Sequence, residues 1–260
     1  MNLICGDSAI KLKEIDTESI DLTVTSPPYD ELRDYKGYSF DFESIAKELF
    51  RITKVGGVLV WIVSDAVIQG SETGTSFRQA LYFMDVGFNL NDTMIWKKDS
   101  FSFPEAVRYP QNFEYMFCFS KGKPKTFHPI KDRKNKHTGM MIHGTYRQKD
   151  GSTTQRGERW TDNGGIKEYG TRFNVWEISA EHNNKTDHPA VFPVDIPKDH
   201  ILTWSNKGET VLDPFMGSGT TAAACIETGR RYIGFEISKD YCEIARKRLD
   251  ETAYQMSMGV

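Results

Sequence analysis

The residues best suited to bind a ligand form a glycine-rich turn late in the chain. Residues 213–221 read Asp-Pro-Phe-Met-Gly-Ser-Gly-Thr-Thr, between a predicted buried strand and a predicted small-residue helix. Glycines let the backbone approach a ligand closely, and the start of a helix offers unpaired N–H groups. Glu236 ends the next predicted strand, where a carboxylate can accept both hydroxyls of a ribose. This pattern predicts a cofactor that contains a nucleoside, without indicating which one.

A second loop, Ser26-Pro27-Pro28-Tyr29, directly follows another predicted strand. Its two prolines fix the backbone and remove N–H donors, so that carbonyl oxygens point in set directions. Tyr29 adds a flat ring and a hydroxyl. Such a loop can hold a planar ring and accept hydrogen bonds from its amino group, but its spacing alone favours a rigid surface turn with a packed tyrosine.

Short apolar runs that alternate with helical patterns must position these loops. We predict strands at residues 3–5, 19–25, 58–63, 93–96, 115–119, 173–176, 210–213 and 231–236. We predict helices at residues 9–15, 42–53, 77–84, 194–202, 220–228 and 239–253. The glycines at 56 and 57 are expected to turn the chain into the third strand. This alternation implies an α/β domain with a mostly parallel sheet, interrupted between residues 121 and 185, where periodicity is lost.

The composition is that of a globular protein, with 38% hydrophobic and 27% charged residues among 260. It excludes a disordered chain, and no apolar run approaches the roughly 18 residues of a membrane span. The first residues lack the pattern of a signal peptide, so we expect a cytoplasmic protein. The four cysteines lie far apart without a Cys-x-x-Cys pair. We therefore expect no zinc site and no disulfide, and interpret all four as small core residues.

Charge is distributed unevenly along the chain. Residues 121–172 contain 13 Lys or Arg and 5 Asp or Glu, a balance of +8, whereas the whole chain carries −3. The remaining residues therefore sum to −11 (−3 − 8). A basic segment within an acidic body is typical of a phosphate-binding surface, although a solvated lysine-rich loop explains it equally well.

Together, the two loops resemble those of the S-adenosylmethionine-dependent DNA amino-methyltransferases, in the order found in the β class. Further segments match the family in the same order: Gly6-Asp7, 54–57, Trp96 to Lys98, 114–122, 188–193 and Phe235-Glu236. The resemblance implies one catalytic domain over residues 1–260, with a Rossmann-like seven-stranded sheet that is permuted in sequence. It also implies that residues 123–185 are an inserted target-recognition region.

The resemblance further assigns roles to individual residues. S-adenosyl-L-methionine would be bound by Asp7, Asp213, Phe215, Gly217, Ser218, Gly219, Thr220 and Glu236. The catalytic loop would be Ser26, Pro27, Pro28 and Tyr29, holding a base flipped out of double-stranded DNA for direct methyl transfer to its amino nitrogen. A serine at the first loop position favours N4 of cytosine, with N6 of adenine as the alternative. Methylation at cytosine C5 is not expected, because no Pro-Cys dipeptide supplies the nucleophile.

DNA contacts are expected in the insertion, where lysines suit phosphates and arginines suit guanine edges. The candidates are Lys131, Arg133, Lys134, Lys136, Arg147, Arg156, Arg159 and Arg172. His128, His137 and His143 are spaced poorly for a metal, and we expect no metal site. A homodimer is a further expectation from the resemblance, in a prokaryotic or phage-infected cell.

Three other functions fit part of the sequence. The glycine pattern and Glu236 also suit an NAD- or flavin-dependent oxidoreductase, which leaves the Ser-Pro-Pro-Tyr loop and the basic segment unexplained. A DNA-binding relative that has lost catalysis would not need intact motifs. Methylation of RNA or of a protein amide stays open, because a basic segment does not distinguish DNA from RNA.

Overall fold

A computed structural model describes residues 2–28, 40–99, 107–140, 145–155, 165–179 and 193–258. The chain forms two compact units, one of residues 1–128 with 174–260 and one of residues 129–173. Tyr29, Arg156, Arg159, His143 and the segment 188–192 lie outside the described residues. Within the ranges that are described, no helix combines the length and apolar character needed to cross a bilayer.

Fourteen strands and six α-helices are described. The strands are β1 (Asn2–Cys5), β2 (Ile20–Thr25), β3 (Thr53–Val63), β4 (Val67–Ile68), β5 (Ser71–Glu72), β6 (Asn89–Lys97), β7 (Phe113–Ser120), β8 (Arg133–Lys134), β9 (Thr145–Arg147), β10 (Thr153–Gln155), β11 (Tyr169–Gly170), β12 (Val175–Glu177), β13 (Thr210–Asp213) and β14 (Arg231–Glu236). The helices are α1 (Ser8–Lys11), α2 (Phe42–Ile52), α3 (Thr75–Val86), α4 (Asp195–Trp204), α5 (Thr220–Thr228) and α6 (Lys239–Met258).

The larger unit is built on a mixed sheet of eight strands in the order β1-β14-β13-β2-β3-β7-β6-β12. Strand β7 runs antiparallel to both neighbours, and the other pairs are parallel. The predicted α/β fold is thus confirmed, with one strand more than the expected seven. The edge strand β12, which corresponds to the strand predicted at residues 173–176, pairs with β6. Just beyond its end, the Ile178 carbonyl accepts a hydrogen bond from Trp96 Nε1 at 2.8 Å.

Several element boundaries differ from the predictions by a few residues, and three of the differences have a clear structural cause or extent. The predicted first helix is only the short α1 followed by a 3₁₀ turn at Leu12–Glu14, and Arg51 donates to the Leu12 and Ile15 carbonyls at 3.0 and 2.9 Å. The expected glycine turn lies inside β3: Gly56 has φ +85°, and the pairing with β2 shifts register there, which makes a bulge. The last helix continues to residue 258.

Aromatic side chains dominate the core between the sheet and the helices α2 and α3. Trp61 on β3 and Phe83 on α3 are fully buried and meet edge to face at 5.0 Å between ring centroids. The Trp61 indole N–H donates to the Gln79 side chain at 2.8 Å, so its polar atom is satisfied. This core packs against β3, and β3 pairs with β2, the strand that ends at the Ser26 loop.

The expectation for the cysteines is wrong for two of the four. Cys5 and Cys242 form a disulfide, whereas Cys118 and Cys225 are free and buried. The pairing arises because β1 and β14 are adjacent and α6 returns over their ends, which brings together residues that are 237 positions apart. Burial raises the pKa of both free thiols, in keeping with their interpretation as core residues.

The smaller unit contains more regular structure than the sequence pattern predicts. Its described residues include two antiparallel two-stranded ribbons, β8 with β11 and β9 with β10. The strands have only two or three residues, too short to give a recognisable periodicity.

Candidate active site at the carboxyl edge of the sheet

Four neighbouring parallel strands, β1, β14, β13 and β2, end at the same edge of the sheet. Gly6-Asp7 follows β1, Glu236 ends β14, Asp213 ends β13, and Ser26-Pro27-Pro28 follows β2. Ligands of open α/β sheets bind outside the carboxyl ends of the strands. The fold therefore brings together the two loops that the sequence separates by almost 190 residues.

A hydrogen bond joins these two loops directly. Thr25 Oγ1, just before the Ser26 loop, donates to Asp213 Oδ1 at 2.6 Å, and the same oxygen accepts the Phe215 N–H at 3.0 Å. Asp213 is buried, and burial raises the pKa of its carboxyl to about 6. The sequence predicts Thr25 only as the last residue of a strand and indicates no role for it in the site.

Glu236 is the second buried carboxylate of the edge. Its Oε2 accepts the Gly217 N–H at 2.9 Å, and its Oε1 accepts the Ser238 N–H at 2.8 Å. Burial raises its pKa, and these backbone donors oppose that shift. The Ile237 N–H is a third backbone donor to this carboxylate, which has about four acceptor positions, so capacity remains for a ribose hydroxyl.

The glycine-rich turn has the conformation that its composition requires. Gly217 and Gly219 have φ of +52° and +84°, in the left-handed region that favours glycine. Helix α5 begins immediately afterwards, so its free N–H groups face the edge. Phe215 is partly buried and contacts Phe40 edge to face, at 5.5 Å between ring centroids.

Arg248 on α6 supports the turn from behind, a role that no sequence signal indicated. Its guanidinium donates to Ser218 Oγ at 3.3 Å and to Thr220 Oγ1 at 2.9 Å. Both hydroxyls are buried. The two predicted cofactor residues Ser218 and Thr220 thus use their side chains to hold the turn, and their backbone atoms remain for a ligand.

Asp7 lies beside the turn at the end of β1. Its Oδ1 accepts the Ala9 N–H at 2.8 Å and caps α1. The Gly6 N–H donates to the Glu236 carbonyl at 2.9 Å, and the Ser8 hydroxyl donates to the Pro214 carbonyl. These contacts of its two neighbours hold Asp7 beside the end of β14 at Glu236 and beside the glycine-rich turn at Pro214.

The predicted DNA-binding residues of the smaller unit fall into two groups. Exposed side chains are found at Lys131, Lys134, Lys136 and Arg147. Arg133 lies 4.5 Å above the Phe173 ring and donates to the Thr171 carbonyl at 2.9 Å. Arg172 is ion-paired with Asp132, whose pKa it lowers.

A mixed sheet with a glycine turn, two buried carboxylates and a proline loop at one edge is typical of α/β enzymes that bind nucleoside cofactors. The family model described as DNA methylase, for N6 and N4 modification, matches residues 20–247. The chain belongs to this DNA methylase family.

Individual relatives agree with this assignment. The chain is 57% identical over 239 residues to the orphan methyltransferase M.BamHII of Bacillus amyloliquefaciens, covering 89% of each chain. It resembles the cytosine-N4-specific PvuII DNA methyltransferase in fold, with a TM-score of 0.68, 20% identity, and coverage of 100% of this chain and 93% of the other. Its fold is also similar to that of the DNA modification methylase TTHA0409 of Thermus thermophilus, solved with S-adenosyl-L-methionine. The TM-score is 0.66 at 24% identity, and the match covers 97% of this chain and 94% of the other.

The protein is therefore a DNA methyltransferase of the class that modifies exocyclic amino groups. The oxidoreductase alternative is thereby excluded. Family membership leaves open whether cytosine N4 or adenine N6 is the target.

Proposed function

We propose that this enzyme transfers a methyl group from S-adenosyl-L-methionine to the amino nitrogen of a base flipped out of double-stranded DNA, with cytosine N4 as the favoured target. One observation carries the proposal: the hydrogen bond from Thr25 to Asp213 joins the Ser-Pro-Pro loop to the glycine-rich turn at 2.6 Å. Methyl transfer needs a donor and an acceptor held side by side, and these two loops are the elements suited to each.

The cofactor would lie along the edge formed by β1, β14 and β13. Glu236 would accept the ribose hydroxyls, and Asp7 would accept the adenine amino group. The backbone of Gly217, Ser218, Gly219 and Thr220, with Phe215, would line the ribose and methionine portion. The cofactor supplies an electrophilic methyl group on a positively charged sulfur. The buried Asp213 carboxylate supports this polarity, because its charge is favourable near a cation in a site of low dielectric.

The acceptor base would lie against the Ser26 loop. Flipping the base costs a few kcal/mol, and stacking on Tyr29 would return about 1–3 kcal/mol. Ser26 and the Pro27 carbonyl would accept hydrogen bonds from the amino group, while Pro28 keeps the loop rigid. An aromatic amino nitrogen is a weak nucleophile, since its lone pair is delocalised into the ring. Positioning that lone pair toward the methyl group therefore provides most of the rate gain. The N–C bond would form as the sulfur–methyl bond breaks, which leaves a neutral thioether, and the nitrogen, now positively charged and acidic, would release one proton to water, so no strong general base is required.

Cytosine N4 is favoured by the serine at the first position of the loop. An aspartate or asparagine there is associated with adenine N6, which remains the alternative with the same mechanism. The cytosine-N4 specificity of the PvuII enzyme concerns that protein, and at 20% identity it supports the fold only.

Residues 123–185 would be the target-recognition region. Support comes from the charge of the smaller unit and from the exposed lysines at 131, 134 and 136, which can reach phosphates. Arg147, on the exposed ribbon β9–β10, suits a guanine edge. Arg133 and Arg172 bond to other residues of the smaller unit, so they would contribute to DNA binding by holding the conformation of that unit. Arg156 and Arg159 complete the proposed set. We further propose a cytoplasmic, homodimeric enzyme.

The replacement Ser26→Ala tests the proposed role of the loop. We expect the rate of transfer from methyl-labelled cofactor to DNA to fall about 100-fold or more, because a positioning contact in the transition state is lost. Cofactor affinity, measured by calorimetry, should stay within a few-fold. Ser257→Ala, at the exposed end of α6, is the matched control. Near-normal transfer, or wholesale loss of cofactor binding, would contradict the assignment.

A further inference from the structure

The hairpin β4–β5 leaves the sheet next to the Ser26 loop. Strand β2 pairs with β3, and Thr25 at the end of β2 lies opposite Trp61 near the end of β3. Neighbouring strands lie about 4.8 Å apart, so the chain leaves the two strands from adjacent positions. Three residues after β3 ends, the chain enters the hairpin at Val67. The hairpin therefore lies at the carboxyl edge, beside the loop proposed to hold the acceptor base.

Buried contacts hold the base of this hairpin in place. Asp65, between β3 and the hairpin, is buried, and its Oδ1 accepts the Ser76 N–H at 2.8 Å and the Thr73 hydroxyl at 3.3 Å. The Thr73 N–H donates to the Ala66 carbonyl at 2.9 Å, which closes the hairpin at its base. The hairpin is thus tied both to β3 and to the start of α3, and its turn is held in a fixed position.

The far end of the hairpin exposes two apolar side chains and an amide. Val67 and Ile68 are 36% and 55% exposed, and Gln69, which follows them in the turn, is also exposed. Gln69 and Gly70 have φ of +50° and +79°, as the type I′ turn of a two-residue hairpin requires. Arg108, from the segment before β7, donates to the Gly70 carbonyl and supports the turn from a second side.

The backbone of Gln69 has a conformation that disfavours glutamine. In a type I′ turn, asparagine, aspartate or glycine usually takes this position, because a larger residue with a Cβ is strained there. Gln69 and Glu18 are the two non-glycine residues with positive φ in the part of the chain that the structure describes. Residues held in strained conformations cluster at sites that bind ligands. The strain at Gln69 therefore indicates that its side chain has a function in this turn.

We propose that the turn of this hairpin inserts into duplex DNA and fills the space that the flipped base leaves. The inference rests on the proposed function, because such a space arises only when a base leaves the stack. Isoleucine is among the apolar side chains that proteins insert between base steps. Ile68 packs against the neighbouring base pair, and Gln69 pairs with the base that has lost its partner.

A primary amide suits either of the bases that would be left unpaired. Guanine, the partner of a flipped cytosine, presents the O6 acceptor beside the N1–H donor. Thymine, the partner of a flipped adenine, presents the O4 acceptor beside the N3–H donor. The Gln69 amide offers an NH₂ donor and a carbonyl acceptor side by side, which complement both patterns. Gln69 thus replaces part of the lost pairing and lowers the cost of flipping the base.

The test compares methyl transfer by the wild type and by Gln69→Gly on two synthetic duplexes. The first duplex contains one position that the wild type methylates, located by sequencing DNA after the reaction. In the second duplex, an abasic nucleotide replaces the partner of the methylated base. Gln69→Gly removes the side chain and relieves the backbone strain, so the variant should keep its fold.

On the paired duplex, the single-turnover rate of Gln69→Gly should fall about 10-fold or more, because the contact with the unpaired base is lost. On the abasic duplex, its rate should lie within a few-fold of the wild-type rate, since Gln69 has no base to pair with there. A merely structural defect would slow transfer on both duplexes equally.

Two matched controls lie at the opposite edge of the sheet. Glu18→Gly makes the same kind of change at an exposed residue with positive φ, just before β2, and should leave both rates within a few-fold of wild type. Ile68→Ala should slow transfer to the paired duplex, whereas Val55→Ala, at an exposed position near the start of β3, should not.

The inference alone is overturned if the wild type methylates the paired duplex and Gln69→Gly does so at the same rate. It is equally overturned if Gln69→Gly is slowed to the same extent on both duplexes. Absence of any methyl transfer from the wild type to DNA would overturn the proposed function, and this inference with it.

Discussion

Replacing Asp213 by asparagine should stabilise the ligand-free protein and weaken its binding of cofactor. Asp213 is 1% exposed, and its Oδ1 accepts hydrogen bonds from Thr25 and Phe215. Asparagine has the same shape and keeps an oxygen for both bonds, but it carries no charge. The variant therefore removes the cost of burying a carboxylate while leaving the packing in place.

The magnitude follows from the pKa of Asp213, which burial raises from 3.8 to about 6. This difference in pKa corresponds to about 3 kcal/mol, at about 1.4 kcal/mol for each tenfold change in proton affinity. The folded state binds the Asp213 proton more tightly than the unfolded state does. The free energy of unfolding of the wild type therefore falls by about this amount as pH rises from about 4 to above about 6. Asp213→Asn should thus be more stable by up to about 3 kcal/mol at pH 8, with the difference vanishing near pH 4.

Urea unfolding at several pH values measures the stability difference, and calorimetry measures the affinity for S-adenosyl-L-methionine. Affinity should fall about 10- to 100-fold at pH 8, since a charged contact is lost. Asp16→Asn, at an exposed carboxylate, is the control and should change neither quantity. A variant that is less stable than wild type at pH 8, or that binds cofactor normally, would refute the proposed role of Asp213.

Three further outcomes are expected. Arg248→Met should lower the free energy of unfolding by about 1–3 kcal/mol, because two buried hydroxyls lose their donor; an equal loss in the exposed control Lys247→Met would contradict this. Lys134→Ala should weaken binding of all DNA sequences alike and lower the slope of log binding constant against log salt concentration by about 1, whereas Lys207→Ala should change neither. DNA titrations at several salt concentrations measure this slope. Wild-type affinity for the cofactor should rise between pH 5 and pH 7 as Asp213 ionises, and a flat profile would count against its place in the site.

Most elements around the candidate site could be predicted because their signals are local. β13, α5 and β14 have the predicted bounds, since each is a short apolar or small-residue run that ends at a glycine or an acidic residue. The Ser26 loop was equally visible, because two consecutive prolines end a strand. The edge itself followed from the rule that parallel strands place their carboxyl ends together.

Other features depend on contacts between distant parts of the chain and left no local pattern. Arg248 resembles any other charged residue on an amphipathic helix until α6 is packed behind the turn. The pairing of Cys5 with Cys242 needs the adjacency of β1 and β14. The bulge at Gly56 resembles a turn in sequence, because both use a glycine with positive φ.

The most direct test of the proposed chemistry is to digest DNA after incubation with the enzyme and methyl-labelled S-adenosyl-L-methionine, and to identify the labelled nucleoside by chromatography and mass spectrometry. We predict N4-methylcytosine in the wild-type reaction and label reduced about 100-fold or more with Ser26→Ala. N6-methyladenine would retain the mechanism and show that Ser26 does not select the base. Label in C5-methylcytosine, or in RNA but not in DNA, would contradict the proposed function.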